Sequence, residues 1–311
     1  MSATRVPWQL KFTALALIWG SSFLLMKIGL RSLAPLQISG LRIFSGAAVL
    51  LILLTASGGR LPRDRRLWGH LLVTGFFLGT LPFSLFALGE ERVSSALAGI
   101  GNSATPIATV MFSLMLLPAD KIAPRKMIGV LIGFFGVLVV MQPWQSQGRP
   151  DLLGFGMTLV AGMSYGLGWT YTRRFLGRSD FGGLTLPAAQ MLMSAAQMLV
   201  AMMIWWLTQR GALALAAPWS VHANTSGGSV LWPLLAVLAL GVIGTGLAMS
   251  LQYDVVRAAG PTVGASVTYL IPVVSVALGV LLLGERLQWP QLVGAAIVLG
   301  AAILIGRSSR R

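Results

Sequence analysis

The chain has 311 residues, 56% of them hydrophobic and 10% charged, with 37 glycines, no cysteine and a net charge of +15. So little polar surface excludes a water-soluble globular domain, and the lack of cysteine excludes disulfides, thiolate metal sites and thiol nucleophiles. The basic residues are scattered through short gaps between apolar stretches and form no single stripe, which argues against nucleic acid as a partner.

Ten apolar stretches lie near 11–31, 34–56, 67–89, 93–117, 126–143, 151–172, 184–208, 231–253, 262–283 and 288–306. Each is close to the ~20 residues a helix needs to cross ~30 Å of hydrocarbon. The predicted class is therefore an all-α integral membrane protein with ten transmembrane helices. The first stretch has the basic flank of a signal peptide. It exceeds a typical h-region in length and no small-residue cleavage pattern follows, so it is expected to stay as a helix. On it, Trp19, Ser22, Phe23 and Met26 share one face. In the second stretch Arg42 follows Pro35 by ~10 Å of helix, and an arginine at a span centre costs ~3 kcal/mol on insertion scales. It could bind a substrate carboxylate, snorkel outward or satisfy helix carbonyls. Lys27 and Glu285 carry the same ambiguity near the outer surface, and a structural role is favoured for all three.

The run Arg60 to Arg66 reads as a topology signal, with binding of anionic lipid as the second reading. In the fourth stretch Asn102, Ser103 and Thr105 precede Pro106. Proline removes an amide donor and frees the carbonyl about four residues earlier, so this region either lines or gates a pathway or is a simple kink. The link 144–150, polar and flanked by prolines, looks like a seam near the chain's midpoint. In the sixth stretch Tyr165 and Trp169 are one turn apart, with Gly162 and Gly166 on the same side. Trp and Tyr normally collect at membrane interfaces, yet Trp19 and Tyr165 lie well inside their spans. They either line a cavity or are buried aromatics bonded to a neighbouring helix. Gly75 with Gly79, Gly129 with Gly133 and Gly162 with Gly166 suit close helix packing. The stretch 209–230 is expected to be an exposed outer loop. In the ninth span Thr268 and Tyr269 precede Pro272, mirroring the fourth.

With the N-terminus in the cytoplasm, sixteen basic residues fall on inner segments and six on outer ones, with Arg42 alone inside a span. By the positive-inside rule both termini are expected inside. Laying the halves together matches Pro106 with Pro272, Gly129 with Gly294, Trp19-Gly20 with Tyr165-Gly166, and Arg42 with Gln190. It also matches residues 116–120 with 281–285. The expected organisation is a five-span repeat at 1–143, a linker at 144–150 and a second repeat at 151–311. Five is odd, so the repeats must be inverted in the membrane, a common transporter architecture.

An enzyme is disfavoured. Gly101-Asn102-Ser103-Ala104 has the look of a membrane serine nucleophile, but a base must lie within hydrogen-bond reach, and His70 and His222 sit at a span end and in an outer loop. Tyr253-Asp254 lacks the second buried carboxylate of an aspartyl dyad, because all eight acidic residues sit at span ends or in loops. No glycine-rich phosphate loop is present, and no metal or cofactor is called for. The absence of Asp, Glu or His at mid-depth favours facilitated diffusion or exchange over tight proton coupling.

Trp19-Gly20-Ser21-Ser22-Phe23, Leu41-Arg42-Ile43-Phe44, the proline-centred fourth and ninth spans, and Gly284-Glu285 followed by Gly294 resemble the EamA-type drug/metabolite transporter superfamily. The resemblance covers practically the whole chain and implies cytoplasmic termini and export of small metabolites through a central cavity. Within the superfamily the chain is most similar to bacterial aromatic amino acid exporters, which implies the inner membrane as location. The expected cavity residues are Trp19, Ser22, Asn102, Tyr165, Trp169 and Tyr269, with Pro106 and Pro272 as gating or hinge positions. An amino acid is the expected cargo and lipid the surroundings. Export of other metabolites or drugs, or a passive channel, are the alternatives.

Overall fold

The computed structural model describes residues 7–117, 124–142, 151–177, 183–208, 229–259 and 267–307. The predicted linker 144–150, residues 118–120 of the internal match, and most of the predicted outer loop (209–228) lie outside the described residues.

Short polar or proline turns start the helices. Helix α1 is Trp8–Gly29 and α2 is Pro35–Ala56. Proline in the first turn has no amide to leave unpaired, and the Gln37 side chain accepts the Ala34 N–H at 2.9 Å. Helix α3 (Arg65–Glu90) starts where Asp64 accepts the Arg66 N–H at 2.9 Å. Helix α4 (Ser95–Leu116) starts where Ser94 accepts the Leu97 N–H at 3.2 Å. Helix α5 is Pro124–Met141. Asp151 caps α6 (Leu152–Leu176) through the Gly154 N–H at 2.6 Å. These side chains satisfy amides that have no intrahelical partner. Helix α7 is Thr185–Thr208, α8 covers 231–259, α9 is Val267–Leu283 and α10 is Trp289–Arg307. Gly284, at φ 65°, takes the left-handed conformation that ends α9.

Among the described residues, seven helices are long and apolar enough to cross a membrane: α1 to α4, α6, α7 and the Leu231–Val256 part of α8. The described apolar parts of the other three, Met127–Val140, Val267–Leu283 and Trp289–Ala301, are shorter than the predicted spans.

Several helices are interrupted. Helix α3 passes through a π turn at Phe76–Thr80, α8 through another at Val242–Leu247, and α6 ends in a third at Thr172–Leu176. Helix α4 breaks at Ser103, whose N–H reaches back only three residues to Ile100 O at 2.9 Å. Helix α9 begins as a tight 3-10 turn, Val267–Tyr269, and resumes at Ile271. Both breaks lie just before a proline, where the missing amide weakens the ladder.

Packing follows a paired pattern. Helix α4 packs on α6 and α9 on α1; α3 on α6 and α8 on α1; α3 on α7 and α8 on α2; α2 on α7; α5 on α10; and α4 on α9. Glycines permit the closest approaches. A Cβ at Gly166 would sit 2.7 Å from both Ala108 Cβ and Thr109 N of α4, and one at Gly294 would sit 2.7 Å from Val140 N of α5. The largest shared apolar cluster joins Phe23 and Met26 of α1, Phe86 of α3, Ala161 of α6, Leu240 of α8 and Ile271 of α9.

Candidate functional site

Trp19 and Tyr165 both pack against this central cluster, from α1 and α6. The Trp19 indole donates from Nε1 to Gly244 O at 3.1 Å, a carbonyl of the α8 π turn. An interrupted helix presents backbone oxygen that a regular helix would use internally, which is why such turns recur at functional sites. Ser22, one turn along α1, is buried and bonds back to Ile18 O at 3.2 Å. Tyr165 lies 6.1 Å from the Phe86 ring, and Phe86 meets Phe23 edge-on at 5.2 Å. These predicted residues therefore share one aromatic centre.

The others lie around it. Asn102 ends the first part of α4 and is 6% exposed. Its neighbour Thr105 donates to Gly162 O of α6 at 3.0 Å. Tyr269 is partly buried in the short turn that opens α9, and Pro272 is buried while Pro106 is partly so. Trp169 is 39% exposed.

Arg42 does not snorkel. It is 7% exposed, its Nε donates to Thr245 Oγ1 of the α8 π turn at 3.1 Å, and its guanidinium stands 3.7 Å above the Phe83 ring. Stacking of this kind on a desolvated ring is worth about 2 kcal/mol and offsets part of the burial.

A second set of charges gathers where α1, α3 and α9 end. Lys27 donates from Nζ to Glu90 O at 2.5 Å and Val93 O at 2.9 Å, placing a cation at the C-terminus of α3. Glu285 accepts the Ser95 and Ala96 N–H groups at 2.8 and 3.0 Å, placing an anion at the N-terminus of α4. Both placements complement the helix dipoles. The Ser275 hydroxyl adds a bond to Ser95 O at 2.9 Å. Beside them opens a cleft of about 490 Å³ lined by Lys27, Arg31, Glu90, Glu91, Leu283 and Glu285.

Sequence reading missed Glu90 by one residue. Its third span stopped at 89 and left Glu90 in a loop, but the helix runs on through Glu90, which is 0% exposed. Among the described residues, neither of its carboxylate oxygens has a hydrogen-bond partner. The available signal was the adjacent Gly89, which packs against Gly154 and Thr158 of α6 and so draws the end of α3 into the bundle.

At the opposite end Lys11 of α1 pairs with Asp254 of α8. Arg92 and Asp151 approach at 3.6 Å, both nearly half exposed. Exposed pairs of this kind contribute about 0–1 kcal/mol.

The Trp19 bond can be tested directly. Trp19→Phe keeps an aromatic ring but removes the hydrogen bond to the Gly244 carbonyl, and should lower stability by about 1 kcal/mol, read as a lower melting temperature in detergent. An unchanged melting temperature would show that the indole N–H holds nothing.

Comparison with known proteins places these features. The chain is 27% identical to "Uncharacterized inner membrane transporter YedA" of Escherichia coli K12, over 94% of this chain and 88% of the other. It is 25% identical to "Probable amino-acid metabolite efflux pump" of the same organism, over 91% and 89%. It is 22% identical to "Uncharacterized transporter YoaV" of Bacillus subtilis, over 93% of each. A crystal structure 20% identical in sequence shares the fold, with a TM-score of 0.63 over 98% of both chains. The EamA-like transporter family matches twice, at residues 7–142 and 152–307. Taken with the apolar helices and their interruptions, these two matches show that the chain is a membrane transporter and belongs to the EamA-like transporter family.

Proposed function

We propose that the protein exports amino acids or similar small amphipathic metabolites across the bacterial inner membrane by alternating access, as facilitated diffusion or exchange. The observation that carries this reading is that four of the five helix interruptions recur in pairs across the two halves. The π turns of α3 and α8 and the breaks of α4 and α9 fall on corresponding helices, five apart in the order. Exchanging each helix with the one five places on also maps many packed pairs onto others, α4 on α6 onto α9 on α1 among them.

This pattern supports ten membrane crossings arranged as two inverted five-helix repeats, 1–143 and 151–311, joined at 144–150, with both termini cytoplasmic. Two similar halves that exchange conformations have inward-open and outward-open states of comparable energy. Trp19, Ser22, Asn102, Tyr165, Trp169 and Tyr269 line the pathway, and the backbone at Pro106 and Pro272 bends to gate it. The name of the Escherichia coli efflux pump relative supports an amino acid as cargo. In this orientation the cleft beside Lys27 and Glu90 faces outward.

Proteoliposomes assayed with amino acids, sugars, nucleosides and cationic drugs test the reading. Amino acids should move faster than in empty liposomes, and preloaded amino acid should accelerate uptake. Movement of another class alone would overturn the cargo, and flux without counterflow would mean a pore. Trp169→Ala should lower flux while changing stability by less than about 1 kcal/mol, because exposed positions rarely contribute more. Unaltered kinetics would remove Trp169 from the pathway.

A further inference from the structure

We propose that Glu90 accepts the ammonium group of the cargo, so that the cleft between α1, α3 and α9 selects molecules carrying a primary amine. The inference rests on the transport reading above and narrows its substrate class.

Glu90 is an unused carboxylate. It is fully buried, lines the cleft, and among the described residues no group donates a hydrogen bond to either side-chain oxygen. An ionised carboxylate buried without partners is penalised by several kcal/mol, and it either takes up a proton or meets a cation that supplies the missing donors. The charged groups within electrostatic reach, among the described residues, are Lys27, Arg42 and Glu285, and each is engaged elsewhere. Lys27 holds the backbone carbonyls of Glu90 and Val93. Arg42 bonds Thr245 and covers Phe83. Glu285 has the same sign as Glu90 and caps α4.

Neither carboxylate oxygen is open to water, so a partner reaches Glu90 only when the cleft beside it opens further, and to replace a bound proton it must be cationic and rich in donors. An ammonium group fits, with three N–H donors for the lone pairs of a carboxylate. The cleft is large enough, since about 490 Å³ lies within the ordinary range for small-molecule sites. Two cations also line it: Lys27, which has one N–H beyond the two its carbonyls take, and Arg31. A zwitterion could thus place its amine at Glu90 and its carboxylate toward Lys27 and Arg31. Neutral groups and carboxylates lacking an amine would leave Glu90 uncompensated.

The test compares three probes of one shape on the full chain in detergent: L-phenylalanine, phenethylamine and 3-phenylpropionate. L-Phenylalanine and phenethylamine should raise the melting temperature of the native protein, and 3-phenylpropionate should not. Glu90→Gln should weaken binding of both amines at least tenfold, with Glu90→Asp retaining most of it. Native protein that binds 3-phenylpropionate as tightly as L-phenylalanine would overturn the inference, and this readout stands even if Glu90→Gln fails to fold. Binding by Glu90→Gln within twofold of native would overturn it equally. If proteoliposomes move no amino acid while phenethylamine still binds through Glu90, the cargo reading fails and the amine site stands. If amino acids move but Glu90→Gln keeps the native preference, the amine site fails and the cargo reading stands.

Discussion

Glu285→Ala should release the end of the bundle beside the cleft and make the first turn of α4 about a hundredfold more accessible. Its carboxylate is the acceptor for two consecutive amides, Ser95 and Ala96, at the positive end of a helix. Bonds to an ionised acceptor contribute roughly 1.5–3 kcal/mol each. Allowing for water that replaces part of this, about 3 kcal/mol is lost, and each 1.4 kcal/mol is a factor of ten. The Ser275 bond to Ser95 O remains, so the turn is loosened and not dissolved. Because the native chain has no cysteine, Ser95→Cys provides a single buried label site, at a hydroxyl with no hydrogen-bond partner among the described residues. Its rate of maleimide labelling should rise about a hundredfold in the Glu285→Ala background. A rate unchanged within twofold would show that Glu285 does not hold this end closed.

Gly166→Val should prevent correct packing of α4 on α6. A Cβ at this position meets backbone, 2.7 Å from Thr109 N and 2.8 Å from Ala108 C, and backbone cannot rotate aside as a side-chain end can. Overpacking in a well-filled interior costs about 1–3 kcal/mol when side chains can give, and here two helices must separate. A loss of about 3 kcal/mol or more is expected, seen as a lower melting temperature and loss of the monodisperse species in size-exclusion chromatography. Gly156 supplies the control. Among the described residues nothing lies within 4 Å of where its Cβ would stand, so Gly156→Ala should leave both readouts intact. Native-like stability of Gly166→Val would contradict the contact between the two helices.

The sites divide by how locally they are encoded. The breaks before Pro106 and Pro272 were legible because a missing amide acts within one turn of its own helix. Trp19 and Ser22 were legible as one face because helical spacing fixes which side chains align. Tyr165 and Trp169 are also one turn apart, yet Tyr165 packs in the aromatic centre and Trp169 is exposed. The helical period groups neighbours but does not say which edge of the group meets another helix. Arg42 was recognisable as unusual, while its ring partner Phe83 and hydroxyl partner Thr245 sit on two other helices and left no trace in nearby sequence. The π turns were not foreseen at all, since Phe76–Thr80 and Val242–Leu247 contain no proline to mark them.

Apolar composition, helix-starting residues and proline positions act locally or by simple addition, so the membrane class, the helix order and the two proline-linked breaks were determined by the sequence by itself. Partnership was decided only by the tertiary structure. Lys27 and Glu285 became caps on helices distant in sequence, and Glu90 became a buried carboxylate without a hydrogen-bond partner among the described residues. The physical reason is that a charge in a low-dielectric interior is governed by the few groups within hydrogen-bond reach, and those are chosen by which helix ends abut.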